Sequence, residues 1–417
     1  MSGTPGAAPF VGPRSTTNGA AQPGIAGSVP WRWRDPTTIP PRPWLLGTVL
    51  MRGYTTLLGS PGGVGKTTWA VAAALSVITG RKNILGYHSW VQGNVLYITL
   101  EDDEVELERR VAAAMLEHKV PAKDVQGRLT VTRGPLKLVE YQQVGRSVVA
   151  SRSSAADDLE KFINDNNFIL IVVDPLVKAH SVDGSRPEDM DALISVCNEI
   201  ARNTNSALLL PCHFRKGGKL DADGQDAFRG ATSLVDGARI ALGIQGMTEA
   251  EAKEFGLDED DRPSFVRMVN AKANMSAKAD ATDWFQITGR LLGNTQVDPT
   301  YPAGDSVQAI RQWIPPELFD GMDLPVMQAI FAKLGDPNQI FHATAGGQKN
   351  WAGTVIMAEA SKTKDQAARI LRLWADSAVL VNTLYRNSQR KDAWKLVLDA
   401  NKAAAILADL TAPHSTP

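Results

Sequence analysis

The sequence predicts an α/β fold, a mostly parallel sheet with helices on both faces, followed by a smaller helical module. Between residues 53 and 293, short apolar runs alternate with longer stretches of helical period, the order such a sheet requires. The runs 54–58, 95–100, 168–173 and 207–211 are rich in branched or aromatic side chains, as strands buried on both faces must be. After Pro299 the alternation stops.

Each segment follows from its composition. Residues 1–30 are rich in Gly, Pro, Ala, Ser and Thr and cannot offset the entropy of ordering, so a disordered tail is expected. Residues 31–52 turn to Trp, Pro and Leu, an extended docking segment that packs either on its own domain or on a neighbouring subunit. Residues 53–298 make the α/β domain, in which the polar, Ser-rich stretch 139–154 reads as a loop. Residues 305–410 read as several helices, then two short runs, 378–385 and 393–398, flanking the basic turn Arg386-Asn387-Ser388-Gln389-Arg390-Lys391. Helices ending in a basic-tipped hairpin suggest a winged helix-turn-helix.

An apolar share of 43% in 417 residues suffices for one large core and one small one, since domains run to about 100 to 200 residues. The cysteines, Cys197 and Cys212, stand in apolar runs where a small buried thiol fits. They make no disulfide framework, which suits a reducing cytoplasm. The N-terminus lacks the basic-then-apolar order of a secretion signal, and no apolar stretch approaches the about 20 residues that span a bilayer. A soluble, cytoplasmic chain with no membrane partner is therefore expected. The net charge of -1 argues neither way about nucleic acid, because binding needs a local basic surface.

The most specific motif is Gly59-Ser60-Pro61-Gly62-Gly63-Val64-Gly65-Lys66-Thr67-Thr68, between a buried strand and a helix over 69–78, the context of a phosphate-binding loop. Its glycines let backbone N–H groups turn towards phosphates and the helix N-terminus adds positive potential. Lys66 would reach the β- and γ-phosphates of ATP, and the Thr67 hydroxyl would coordinate Mg2+. In the strict G-x-x-x-x-G-K-[ST] pattern the first glycine falls on Ser60, a departure where the turn begins and outside the phosphate cradle. The competing reading is a Gly-rich turn with an exposed lysine.

Hydrolysis needs acids as well. The run Phe168-Ile169-Leu170-Ile171-Val172-Val173-Asp174 puts Asp174 at the carboxyl edge of the sheet, where ligands of open α/β sheets bind; it is assigned to the magnesium shell. Val95-Leu96-Tyr97-Ile98-Thr99-Leu100-Glu101 likewise ends in an acid, and Glu101 is the candidate general base. Asp102 and Asp103 read as N-terminal acids of a following helix. His213 ends the fourth strand, either as a γ-phosphate sensor or as a polar cap. Arg215, Lys216 and Lys219 follow among glycines, a loop that either contacts a nucleic acid backbone or is simply solvated.

These motifs, with Ala227-Phe228-Arg229-Gly230-Ala231-Thr232-Ser233-Leu234-Val235-Asp236, 247–251 and Asn270-Ala271-Lys272-Ala273-Asn274, resemble the RecA-like core of plasmid RepA-type hexameric replicative helicases and related phage ATPases of the AAA family. The resemblance covers roughly residues 44–293. It implies a six-membered ring with ATP between neighbours, one subunit supplying Lys66, Thr67, Glu101, Asp174 and His213 and the next an arginine finger, assigned to Arg229. Lys272 is a second candidate at that interface. Ring helicases of this kind carry Lys-x-Arg there, whereas Asn274 holds the third position here, which favours Arg229; a surface salt bridge is the plain alternative.

In the C-terminal module, Lys349, Lys362, Lys364, Arg369, Arg372, Arg386, Arg390 and Lys391 would suit phosphate contacts on duplex DNA, while Trp351, Trp374 and Trp394 are expected in its small core. Winged helices also bind proteins, so a replication protein is the other partner this module fits. The leading expectation is a DNA-stimulated ATPase that translocates on single-stranded DNA and unwinds duplex, in replication of a plasmid, phage or other mobile element. The alternatives are an ATP-switched DNA-binding or loading protein and an ATPase that only remodels protein partners.

Overall fold

The computed structural model describes residues 31–213, 232–273, 275, 282–296, 300–343, 350–386 and 389–411. Residues 31–42 belong to a unit of their own, in which the turn Pro36–Thr38 is opened by the Asp35 carboxylate accepting from the Thr37 amide at 2.9 Å.

The second unit begins with a tiny hairpin, β1 (Trp44–Leu46) and β2 (Leu50–Met51). Its Leu45, Leu46, Leu50 and Met51 are buried in the main core. Then come β3 (Thr55–Ser60), α1 (Lys66–Thr79), β4 (Asn94–Thr99), α2 (Glu104–His118), α3 (Ala122–Val125) and β5 (Leu129–Arg133). Apolar residues on every side of α1, from Trp69 to Ile78, match a helix buried all round. Asp103 caps α2 by accepting from the Glu106 amide at 2.7 Å, as expected of an acid at a helix N-terminus.

The stretch 139–154, expected to be a loop, is instead a hairpin of β6 (Val139–Val144) and β7 (Ser147–Arg152) around Gly145, and then the cap of a helix at Ser153. Beyond Val139 the hairpin is largely exposed, so the apolar alternation that announces a half-buried strand is missing. Tyr141 fixes it by donating to Asp189 Oδ2 at 2.5 Å and accepting from the Asp183 amide.

The core continues with α4 (Ser154–Asn166), β8 (Phe168–Asp174), α5 (Pro187–Thr204), β9 (Ala207–His213), α6 (Thr232–Gly237), β10 (Ile240–Gly246) and α7 (Glu249–Phe255). Three more strands close it: β11 (Phe265–Ala273), β12 (Asp283–Leu291) and β13 (Ser306–Trp313). Among the described residues nine strands form one sheet, in the spatial order β5, β4, β8, β9, β3, β10, β11, β12, β13. From β5 to β10 neighbours run parallel, and the last three are antiparallel. One apolar cluster joins one face to α1, α2 and α3, the other joins the opposite face to α4 and α5. Both cysteines are free and buried, and burial pushes each thiol up to about 12.

Residues 306–313, expected to begin the helical module, are the last strand of this sheet. Only Ala309 and Ile310 of β13 are fully buried, too few to write a period of two into the sequence. Side chains from α2 pin the antiparallel strands. Glu117 accepts from Thr288 at 2.7 Å and from Arg290, with Arg311 at 3.6 Å, and His118 Nε2 donates to the Ile310 carbonyl at 2.8 Å. Burial pushes the Glu117 carboxyl up, but the bonds from Arg290 and Thr288 and the two guanidinium charges outweigh it and leave it below its ordinary value.

The C-terminal part comprises α8 (Leu324–Leu334), α9 (Gly353–Ala360), α10 (Lys364–Asp376), the antiparallel pair β14 (Leu380–Arg386) and β15 (Asp392–Leu398), and α11 (Ala400–Thr411). Its own core gathers Ile330, Ile356, Ile370, Leu371, Leu380 and Leu396. Trp351 and Trp374 are buried in it, at 6% and 4% exposure, but Trp394, expected beside them, is 60% exposed. Trp394 pairs with Leu384, on the part of the hairpin that extends past that core. Arg369 pairs with Glu254, and Lys362 donates to the Asp320 carbonyl at 2.6 Å. Lys349 lies outside the described residues. Among the described residues, no helix is long and apolar enough to cross a membrane.

Candidate functional site

Parallel strands end together at one edge of the sheet, and register decides which side chains meet there. Ser60 at the end of β3 lies opposite His213 at the end of β9, and Thr99 at the end of β4 opposite Asp174 at the end of β8. The glycine-rich turn then leads into α1, whose N-terminal amides face the same edge. The resulting cleft, about 310 Å³, is lined by Gly63, Gly65, Lys66, Thr67, Asp174 and His213, with Glu101 and Arg110 at its rim.

Lys66 is buried, at 6% exposure. Its ammonium donates to Ser60 Oγ at 2.9 Å, to the Ser60 and Pro61 carbonyls at 3.2 Å each, and to His213 Nδ1 at 3.2 Å. An ammonium can only donate, so His213 Nδ1 is the acceptor and its proton sits on Nε2. Burial first and the Lys66 charge second hold the His213 imidazole below its ordinary range, which favours this neutral form. Burial also lowers the Lys66 ammonium, against the opposing pull of the Asp174 and Glu101 carboxylates. Ser60, the departure from the strict motif, supplies a hydroxyl to the lysine where glycine would supply none.

Two glycines of the turn are set by conformation. Gly63 has φ of +80° and nothing within 4 Å of where a Cβ would stand, so backbone geometry alone selects it. Gly65 has φ of +91°, and a Cβ there would come within 2.9 Å of Ile287 Cδ1 on β12. The antiparallel extension thus lies directly against the turn.

Asp174 is 8% exposed and accepts from the Tyr97 hydroxyl at Oδ2, 2.8 Å, with Thr67 lining the same cleft. Burial pushes its carboxyl above the ordinary carboxylate range in spite of that bond. A hydroxyl beside a carboxylate is a hard-oxygen pair suited to a magnesium ion, which needs few protein ligands when phosphates and water complete its shell. Among the described residues no cluster of three or more His, Cys, Asp or Glu side chains stands ready for a metal. Glu101 is exposed at the rim.

Asp102 pairs with Arg110 Nε at 2.9 Å, and Arg110 also reaches Glu106 at 3.2 Å. Tyr97, Thr99, Arg110 and Gln308 line the cleft without having been singled out in the sequence. Tyr97 had a signal: a hydroxyl inside the otherwise apolar run Val95-Leu96-Tyr97-Ile98 has to find a partner once buried. Arg110 looks like an ordinary helix pair with Glu106, and Gln308 lies on the strand whose pattern was unreadable. Lys272, assigned to a subunit interface, donates within its own chain to the Val235 and Asp236 carbonyls at 2.8 and 2.7 Å, at the end of α6. Arg215, Lys216, Lys219 and Arg229 lie outside the described residues.

A lysine-bearing glycine turn entering a helix, with an acid-tipped strand beside it on a parallel sheet, defines a nucleotide-binding α/β domain of the P-loop ATPase class. Residues 21–219 match the model of a family described as AAA domain, which supports nucleotide binding and ATP hydrolysis. The match covers the phosphate loop, Glu101, Asp174 and His213 and ends before β10.

Proposed function

We propose that this chain is a Mg2+-ATP-dependent, DNA-stimulated ATPase that works as a RepA-like ring helicase or single-stranded-DNA translocase in replication of a plasmid, phage or mobile element. The observation that supports it most is the meeting of Lys66, Thr67, Glu101, Asp174 and His213 at one sheet edge, because phosphoryl transfer needs positioning and charge stabilisation more than covalent chemistry.

In this reading residues Ser60–Thr68 wrap the phosphates with backbone amides, and Lys66 leaves Ser60 and Pro61 for the β- and γ-phosphate oxygens. Thr67 and Asp174 would hold magnesium, which would supply charge neutralisation at the phosphates. Glu101 orients the attacking water and takes its proton. His213, released when Lys66 turns to the nucleotide, reports the γ-phosphate to residues 215–219, where Arg215, Lys216 and Lys219 contact the DNA backbone. A neighbouring subunit in a hexamer supplies Arg229. Lys272 is a weaker candidate for that role, since its ammonium serves the α6 carbonyls of its own chain.

One feature favours the second reading, an ATP-switched DNA-binding or loading protein: a packed C-terminal module in which α8, α9 and α10 precede a basic hairpin, the order of a winged helix-turn-helix. Steady-state ATP hydrolysis by the whole chain with single-stranded DNA, duplex DNA and no DNA tests the proposal. Stimulation by single strands is the expected result. Equal rates in all three conditions would overturn the DNA-stimulated reading, and stimulation by duplex alone would favour the switch.

A further inference from the structure

The β14–β15 hairpin carries more than its module's core requires. Side chains at every second position share a face of a strand, so Leu380, Leu384 and Arg386 lie on one face of β14, and Leu398, Leu396, Trp394 and Asp392 on the same face of β15. Near the base that face is core, with Leu380 2% and Leu396 7% exposed. Further out, the same face runs past the module's edge. The directly paired Leu384 and Trp394 stand 52% and 60% exposed there, although Trp351 and Trp374 of the same module are buried.

Charge gathers at the same end. Between residues 380 and 398 there are four cations, Arg386, Arg390, Lys391 and Lys395, against the single acid Asp392. The rest of residues 314–411 holds seven cations against nine acids, so positive charge is segregated onto the hairpin. Asp392 pairs with Arg386 at 3.7 Å, with both side chains well exposed. Lys395, on the opposite face by the same alternation, lies 5.8 Å from the centre of the Tyr385 ring.

We propose that the outer half of this hairpin is a contact site for unpaired nucleic-acid bases, with Trp394 as the stacking platform, Leu384 extending its apolar surface, and the hairpin's cations meeting the flanking phosphates. An exposed indole among cations matches a ligand that is at once aromatic and polyanionic. Base faces are open to an indole in single strands, loops and frayed ends, and hidden in an intact duplex. The site therefore discriminates by strandedness and not by sequence. The inference rests only on the nucleic-acid part of the proposed function: it needs no ATP, and a Lys66→Ala chain should show it unchanged, which separates its failure from failure of the ATPase reading.

The test is binding of the full-length chain, without nucleotide, to a fluorescein-labelled oligothymidylate, to a duplex of equal length and to heparin, over a salt series. Trp394→Ala should bind the oligothymidylate about tenfold more weakly, with heparin binding and the slope of log Kd against log salt unchanged, and Trp394→Phe should keep most of the affinity. Arg390→Ala with Lys391→Ala should instead flatten the slope. Wild-type oligothymidylate affinity in Trp394→Ala, provided its melting temperature is unchanged, would overturn the proposal. So would an equal loss for heparin and oligothymidylate, or a change confined to sedimentation, which would mark the face as a contact between copies of this chain.

Discussion

The Tyr97 hydroxyl donates to Asp174 Oδ2 at 2.8 Å, a bond between neighbouring parallel strands in a site with almost no solvent. That bond orients the aspartate before any ligand arrives, the kind of pre-orientation that tunes a metal-holding group. Burial, together with the charge and bond of Asp174, pushes the Tyr97 phenol well above its ordinary range, so it stays a donor at all working pH. Tyr97→Phe should therefore raise the magnesium concentration needed for tight nucleotide binding by about tenfold, while affinity for nucleotide in EDTA stays as in the wild type. A titration of fluorescent ATP analogue against magnesium decides it. An unchanged magnesium requirement would remove Tyr97 from the site.

Lys66 and Glu101 should separate binding from chemistry. Lys66→Ala removes the ammonium that now bonds Ser60, Pro61 and His213 and should abolish nucleotide binding. Glu101→Gln keeps the shape of the rim and should bind ATP normally, with turnover reduced by about a hundredfold or more. Equilibrium binding and steady-state hydrolysis, measured on both variants, read the two effects independently. Normal turnover in Glu101→Gln would assign the base elsewhere.

Gly65 is constrained twice, by φ of +91° and by the 2.9 Å approach of Ile287 Cδ1 to an added Cβ. Gly65→Ala should destabilise the fold by about 1–3 kcal/mol. Ile287→Ala should restore part of that loss, since shortening the neighbour relieves the clash and leaves the backbone cost. Urea unfolding of the two single variants and the double variant measures the coupling. Strict additivity would mean that the turn does not rest on β12.

Histidines set the pH response. His118, His180 and His213 all lie below their ordinary value, in each case chiefly through burial. A folded-state value below the unfolded one means that the unfolded chain takes up protons first as pH falls. Stability is then fully present above the unfolded value of about 6.5 and declines as pH drops from there towards the folded values. Asp174 and Asp283, raised by burial, act in the opposite sense, their penalty being relieved as pH falls through their folded values. Urea midpoints should thus fall between about pH 7 and about pH 5.5. His118→Gln, which keeps a donor for the Ile310 carbonyl, should show a shallower decline, and an unaltered slope would exclude His118 as a contributor.

Four strands of the parallel half, β3, β4, β8 and β9, were legible because they are buried on both faces and write themselves as apolar runs. Each strand that was singled out ends where the cleft lies, so the phosphate loop, Glu101, Asp174 and His213 could be placed at one edge before the fold was known. Much of what escaped was exposed or half-exposed, although the buried β10 escaped as well. The β6–β7 hairpin has little buried surface to impose a period, and β13 buries only its middle. Gln308 was lost with β13, and Arg110 passes for a helix-surface pair. Trp394 was assigned to a core by its chemistry, since a period of two says which face it shares but not where the core beneath that face ends.

The antiparallel strands laid against the phosphate turn also order events on the ribosome. His118 waits for a backbone carbonyl 192 residues further along the chain, and Glu117 for a threonine 171 residues away. Until Ile287 has emerged, the nascent polypeptide holds the phosphate turn and its acids without the isoleucine that seats Gly65, and until Trp313 it lacks the complete strand that carries Gln308. Contacts so distant in sequence are slow to form. The chain should therefore acquire ATP only late in its own synthesis, and growing chains still on the ribosome should not compete with finished subunits for nucleotide.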